Sequence, residues 1–202
     1  GIEAAGVYGI AHRFPLIVTI FSSIFYQAWQ ISSIQEYRSL NSQRDAFYSS
    51  VFEMLYTFMF LMLGLVSLFI KPLITFIVGS DFVEAWRFVP LLMIGVVFQS
   101  FCSFYGVGYL ASKKTTGAMS TTFISAGVNI AINFFLIPVI GIQAASLSTA
   151  IAFIGMWVMR LFQTRSYFHI RIHWRHFLIL AGLSIFCMVV ILFGRDYFIF
   201  QV

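Results

Sequence analysis

Charge is scarce in this chain. Only 9% of its 202 residues are charged, against roughly a quarter in soluble domains, which excludes a water-soluble fold. Carboxylates are the scarcer sign, seven against twelve lysines and arginines. Cysteine is nearly absent too. Cys102 and Cys187 both fall inside apolar runs, so neither a disulfide framework nor a metal-ligand spacing exists. The chain also lacks a Gly-rich phosphate loop, a His-Glu-x-x-His pair and any supported Ser/His/Asp grouping. Nothing in it points to a catalytic centre, and no metal or cofactor is expected.

What is present is apolar. Hydrophobic residues make up 60% of the sequence, with 25 phenylalanines. Between Lys114 and Arg160 lie 45 residues without a charge, where one membrane-spanning helix needs only ~20. This stretch therefore crosses a bilayer twice. Its middle, Ile137-Pro138-Val139-Ile140-Gly141, reads as a helix stop, a tight turn and a restart. Charge-free windows place six spans near 6–34, 48–70, 87–112, 115–137, 142–162 and 175–194, the second closing at Lys71-Pro72. The expected fold is all-α, one transmembrane bundle over 1–202 with no soluble domain. There is no initiator methionine and no signal peptide, and Gly1 stands just before an apolar run. The chain reads as the later part of a longer protein.

Lysines and arginines set the orientation. Arg38 and Arg44 follow the first span and Lys113 and Lys114 the third. After the fifth come Arg160, Arg165, Arg171 and Arg175, with His169, His173 and His176. The other side holds only Lys71, Arg87 and Arg195. The loops 35–46, 113–114 and 160–176 are accordingly expected to be cytoplasmic, with Gly1, Gln201 and Val202 outside. The basic residues are spread between apolar runs, so they read as topology signals and not as a nucleic-acid patch. The 160–176 loop is most simply a topology determinant, with a secondary attraction to anionic headgroups of membrane lipids.

Polar groups inside a membrane are costly and turn to a protein interior or a water-filled cavity. The first span is richest in them. At about 100° per residue, His12, Thr19, Ser23, Tyr26, Gln27 and Gln30 fall on one face together with Leu16, and Arg13 flanks it. Arg13 stands about two turns in, ~10 Å along the axis. It reads as a cation lining a path for an anionic substrate, or as the partner of a carboxylate on a preceding helix. His12 reads as a structural hydrogen-bonding group or as a proton carrier. Pro15 frees a backbone carbonyl and bends the helix. Asn129 and Asn133, one turn apart, pair helices or line a cavity. Glu53 is interfacial, a partner for Arg13, or a site for a coupling ion. After the turn, Gly141, Ala144, Ala145, Ser148, Thr149 and Ala152 give small residues at the spacing of close helix packing.

Taken together these stretches resemble the polysaccharide flippases of the multidrug/oligosaccharidyl-lipid/polysaccharide exporter superfamily. Gly6 to Pro15 is similar to the family's Gly-x-Tyr-x-x-Ala-x-Lys/Arg-x-Pro entry to its eighth helix, which Gln27-Ala28-Trp29 continues. Gly79 to Trp86, with Val89-Pro90-Leu91-Leu92, resembles the loop and entry of the tenth. Lys113-Lys114-Thr115 through Asn129, Asn133, Pro138, Gly141 and Ala144-Ala145 resembles the eleventh helix, its outer turn and the twelfth. Ala144 stands where the family often has a second glycine.

The resemblance spans essentially the whole chain and implies helices eight to thirteen, the second bundle of a MATE-like two-bundle transporter. It implies alternating access without ATP hydrolysis, at a bacterial cytoplasmic (inner) membrane. The substrate would be an oligosaccharide unit on undecaprenyl diphosphate, moved outward for O-antigen, capsule or exopolysaccharide assembly, alongside polysaccharide assembly proteins. The family's cationic cavity role carries over to Arg13 alone. Remaining alternatives are a multidrug or lipid II exporter of the same superfamily, a membrane-embedded polysaccharide polymerase, and a non-transporting membrane subunit. A drug exporter favours a carboxylate-centred site, and a polymerase a large charged outer loop.

Overall fold

The computed structural model describes residues 2–78 and 85–193. Among them every regular element is helical: α1 (Ile2–Ala11), α2 (Arg13–Glu36), α3 (Asn41–Val78), α4 (Val89–Ala111), α5 (Thr115–Ile140), α6 (Gln143–Gln163) and α7 (Trp174–Phe193). Residues 79–84, which hold most of the expected loop motif, lie outside the described residues. So do Gly1, Arg195, Gln201 and Val202, with their expected outer placement. Six segments, with α1 and α2 sharing one, are long and apolar enough to cross a membrane. The chain is all-α with the make-up of a multi-pass membrane protein. Its outward side chains include Phe76, Phe134 and Val139, each more than two-thirds exposed, a surface that only lipid tolerates.

Proline decides one break and not the two that the sequence suggests. Pro15 has no N–H for the Ala11 carbonyl, so α1 stops at Ala11 and α2 restarts at Arg13, with Pro15 in its first turn. Pro72 ends nothing. α3 runs through it to Val78, and it also starts earlier than expected, at Asn41, so only 37–40 connects α2 to α3. Pro138 likewise lies inside α5, which goes on to Ile140. A single missing N–H costs one hydrogen bond, and a helix held in a bilayer tolerates it better than it tolerates irregular backbone. Gly141 is the actual stop, at φ 66° and ψ −147°, a conformation open to glycine and closed to side chains.

α4 is the central pillar. It packs against α2, α3 and α6, while α5 lies on α6 and α7 on α3. Of its apolar window 61% is buried, against 6% for α5. Apolar burial gives no drive between helices in lipid, so close packing, aromatic contacts and buried hydrogen bonds must hold the bundle. One end is filled with rings. Trp29 stacks on Phe104 with centroids 4.3 Å apart and donates Nε1–H to its carbonyl at 3.2 Å. Phe52 meets Tyr56, Phe101, Phe104 and Tyr105, and Trp157 stacks on Phe177. Tyr48 closes this end by donating to the Ser33 carbonyl at 2.8 Å and accepting from the Ser33 hydroxyl at 2.6 Å. Elsewhere Ser125 bonds the Ala152 carbonyl, and Ser184 the Phe60 carbonyl.

Candidate functional site

Between α2 and α4 a cleft of about 170 Å³ opens, lined chiefly by Thr19, Ser22, Ser23 and Tyr26 on one side and by Gln99, Ser100 and Ser103 on the other; Leu55 of α3 and Phe104 help to form its apolar walls. Its hydroxyls are bent back onto their own helices. Thr19 donates to the Pro15 carbonyl, Ser23 to Ile20, Ser100 to Val97 and Ser103 to Gln99. Each oxygen is thus left facing the cleft as an acceptor. The Tyr26 hydroxyl and the Gln99 amide have no hydrogen-bond partner among the described residues and remain as donors. The result is a belt of acceptors with two donors against aromatic walls. Hydroxylated ligands such as sugars meet both kinds of need at once.

The sequence-derived candidates divide. Thr19, Ser23 and Tyr26 line the cleft. Gln30 falls on the same face of α2 as Tyr26, within about 40° of it on a helical wheel, and His12 stands at the break between α1 and α2. His12 is exposed and packs obliquely on Tyr8; Gln30 is half-buried. Gln27 is exposed and turned aside. Arg13 does not belong to the cleft. It is exposed on the face of α2 that carries Ile17, Ile20, Ile24 and Ile31, each more than half exposed, away from α4. The polar stripe is therefore split. Its inner half faces α4, while the cation looks out from this bundle.

Glu53 and the asparagines sit elsewhere. Glu53 accepts from His173 at 3.0 Å, from His176 at 3.1 Å and from Tyr56 at 3.2 Å, which ties α3 to the start of α7. Among the described residues it makes no contact with Arg13. Asn129 reaches Ser148 at 3.2 Å and Thr149 at 3.5 Å on α6. Asn133 donates to the Asn129 carbonyl and amide oxygen, and its own Oδ1 is buried without a partner. These amides face the α5–α6 seam, far in topology from the α2–α4 cleft.

The residue whose role charge counting missed is Arg160. Counted with the basic residues of 160–176 and standing near the end of the expected 142–162 span, it lies in the last turn of α6 at 6% exposure. Nε donates to Thr121 Oγ1 at 3.1 Å, Nη2 to Thr122 Oγ1 and the Ala118 carbonyl, and Nη1 to the Cys102 carbonyl. The Tyr109 ring covers the guanidinium at 5.8 Å. Gly106 leaves it room, since a Cβ there would stand 3.2 Å from Nη1. One side chain thus fastens α4, α5 and α6. No signal in the residue itself marks this. Gly106 and the Thr121-Thr122 pair at matching depth are the only hints.

Among the described residues no cluster of three histidine, cysteine or carboxylate groups is arranged to hold a metal ion. Cys102 is buried and Cys187 half-buried, both as free thiols. No model of a known protein family matches the chain, and no curated protein matches it.

Proposed function

We propose that this chain forms the second bundle of a polysaccharide flippase, carrying lipid-linked oligosaccharide units across a bacterial cytoplasmic membrane by alternating access. The observation that carries the reading is the concentration of hydrogen-bonding groups with spare acceptor or donor capacity in one cleft of a largely apolar bundle. Thr19, Ser23, Ser100 and Ser103 offer acceptors, Tyr26 and Gln99 offer donors, and Phe104 offers a flat wall. Sugar rings present hydroxyls at their edges and C–H groups on their faces, which suits this mixture.

Arg13 supplies the second element. A guanidinium among exposed isoleucines is unfavourable in lipid, so its partner must come from beyond α2. In a two-bundle transporter α2 would front the opposite bundle across a central cavity, with Arg13 meeting a diphosphate or an acidic sugar there. His12 and Gln30 would extend the polar path along the cleft face, and Gln27 would border it. The described residues hold no deep carboxylate facing the cleft, which disfavours a drug exporter built on a cation site. The sequence pattern from Gly6 to Pro15 and from Lys113 to Ala145 supports the family assignment, and the excess of Lys and Arg supports loops 35–46, 113–114 and 160–176 lying inside.

Replacing Arg13 and Tyr26 separately in the full-length protein tests this. Arg13→Ala is expected to abolish assembly of the surface glycan at unchanged protein level, Arg13→Lys to retain part of it, and Tyr26→Ala to reduce it severalfold. Normal assembly in both alanine variants would sink the reading.

A further inference from the structure

We propose that a second cleft, at the opposite side of α4 and near the basic end of the bundle, binds the phosphate of an anionic phospholipid headgroup. The proposal goes beyond translocation and does not depend on it. The cleft measures about 190 Å³, with Arg165, His169, Arg171 and Trp174 beside Tyr105 and Phe168 in its lining.

Its construction follows from a short extended segment between α6 and α7. A single 3-10 turn, Thr164–Ser166, ends α6, and the amides of Tyr167 and Phe168 bond back to the Thr164 carbonyl. From there the side chains alternate. Phe168 is buried and Ile170 and Ile172 half-buried, while His169, Arg171 and His173 are exposed. That is the period of extended backbone, which sorts apolar groups inward and basic groups outward. Phe168, at 3% exposure, is packed between Tyr48 and Tyr105. The Arg171 amide donates to Ser49 Oγ at 2.8 Å, and the Trp174 amide to the Ile172 carbonyl. The backbone that carries the basic residues is thus held before any ligand arrives, which lowers that part of the ordering cost of binding.

The electrostatics are one-sided. No carboxylate lines the cleft, and among the described residues neither Arg165 nor Arg171 has a carboxylate within ion-pair distance. Glu53, one turn of α3 beyond Ser49, is already engaged by His173 and His176. A planar guanidinium matches phosphate oxygens in a fork geometry. Arg171 is free of ion pairs for this among the described residues, and Arg165, whose guanidinium lies over the Phe162 ring at 4.9 Å, would swing from that ring to join it. Trp174, 49% exposed at the first residue of α7, is the amphipathic residue expected at headgroup level. The cleft lies at the ends of membrane-length helices, where the surrounding bilayer presents its headgroups, so a phospholipid is the source of phosphate that the geometry favours.

The test is native mass spectrometry of the full-length protein released from detergent, with phosphatidylglycerol or phosphatidylcholine added. Phosphatidylglycerol should be retained and phosphatidylcholine lost. Arg165→Gln with Arg171→Gln should cut retention at least tenfold. Lys113→Gln with Lys114→Gln, an equal charge change outside the cleft, should cut it less than twofold. Equal loss in both double variants would overturn the proposal, leaving only diffuse attraction. Thermal melting checks folding. If the glutamine pair does not fold, Arg165→Lys with Arg171→Lys keeps the charge and removes the forks. It should lose threefold or more, and unchanged retention would overturn the site. Inorganic phosphate and farnesyl diphosphate serve as competitors. Displacement by either at lower concentration than phosphatidylglycerol itself would refute a bulk lipid as the ligand.

Discussion

Arg160 Nε stands 3.1 Å from Thr121 Oγ1, and this bond joins α6 to α5 while the same guanidinium reaches Cys102 of α4. Removing the side chain would take four guanidinium bonds from α4 and α5, although the Thr121 and Thr122 hydroxyls would still donate to the Ala118 carbonyl. A hydrogen bond to a charged group is worth about 1.5–3 kcal/mol, and only part of the four adds to the net. Arg160→Met is therefore expected to destabilise the bundle by on the order of 3 kcal/mol. Arg160→Lys, which lacks the fork, should recover less than half of that. Thermal unfolding of the protein in detergent measures both. A melting temperature unchanged in Arg160→Met would refute the three-helix role.

A close approach sets the second expectation. A Cβ on Gly108 would clash with Cε1 and Cζ of Phe168. Alanine gains about 1 kcal/mol of helix propensity over glycine, but displacing a buried phenylalanine costs about 3 kcal/mol. Gly108→Ala should thus be net destabilising, by roughly 1–2 kcal/mol. Combining it with Phe168→Ala should cost less than the two single changes added together, because the clash is removed. Additive losses would show that the contact is not the cause.

Lys113 adopts φ 57°, and the α4 C-terminus closes with Lys113 N–H on the Leu110 carbonyl and Lys114 N–H on Tyr109. This is a Schellman closure with lysine where glycine is favoured. Lys113→Gly should stabilise the protein by about 1 kcal/mol, while Lys113→Ala should not. Chemical denaturation of the two variants decides the point.

Hydration of the α2–α4 cleft is directly measurable. In a background free of native cysteines, thiols placed at Ser23 and Ser103 should react with a charged, membrane-impermeant maleimide. A thiol at Phe134, which faces outward, should not. Protection of both cleft positions would refute a water-filled path.

Glu53 couples α3 to α7 through His173 and His176. The histidines are 70% and 44% exposed and the carboxylate 35%, so solvent screens the interaction. A double-mutant cycle of Glu53→Gln against His176→Gln should give only about 0.5–1 kcal/mol. A coupling of several kcal/mol would indicate a buried role that this geometry does not provide.

Much of the candidate site was visible in the sequence as a stripe on α2, because helical spacing alone places Thr19, Ser23 and Tyr26 together. Its other wall was not. Gln99, Ser100 and Ser103 belong to an apolar helix, and their meaning arises only because α4 lies against α2. Arg13 shows the converse. Sequence spacing put it beside the stripe, and packing turned the stripe's far edge, with Arg13, away from α4.

The sequence by itself determined the class of the protein. Long uncharged runs need lipid, since that depends on composition over ~20 residues and not on contacts. Only the tertiary structure decided which helix is central, which polar groups meet, and that Arg160 is a buried clasp while Arg165 and Arg171 stay outside. A charged residue reads the same in a linear chain whether it ends in water or beneath three helices. What separates the two is whether carbonyls and hydroxyls converge on it, and that is a property of packing alone.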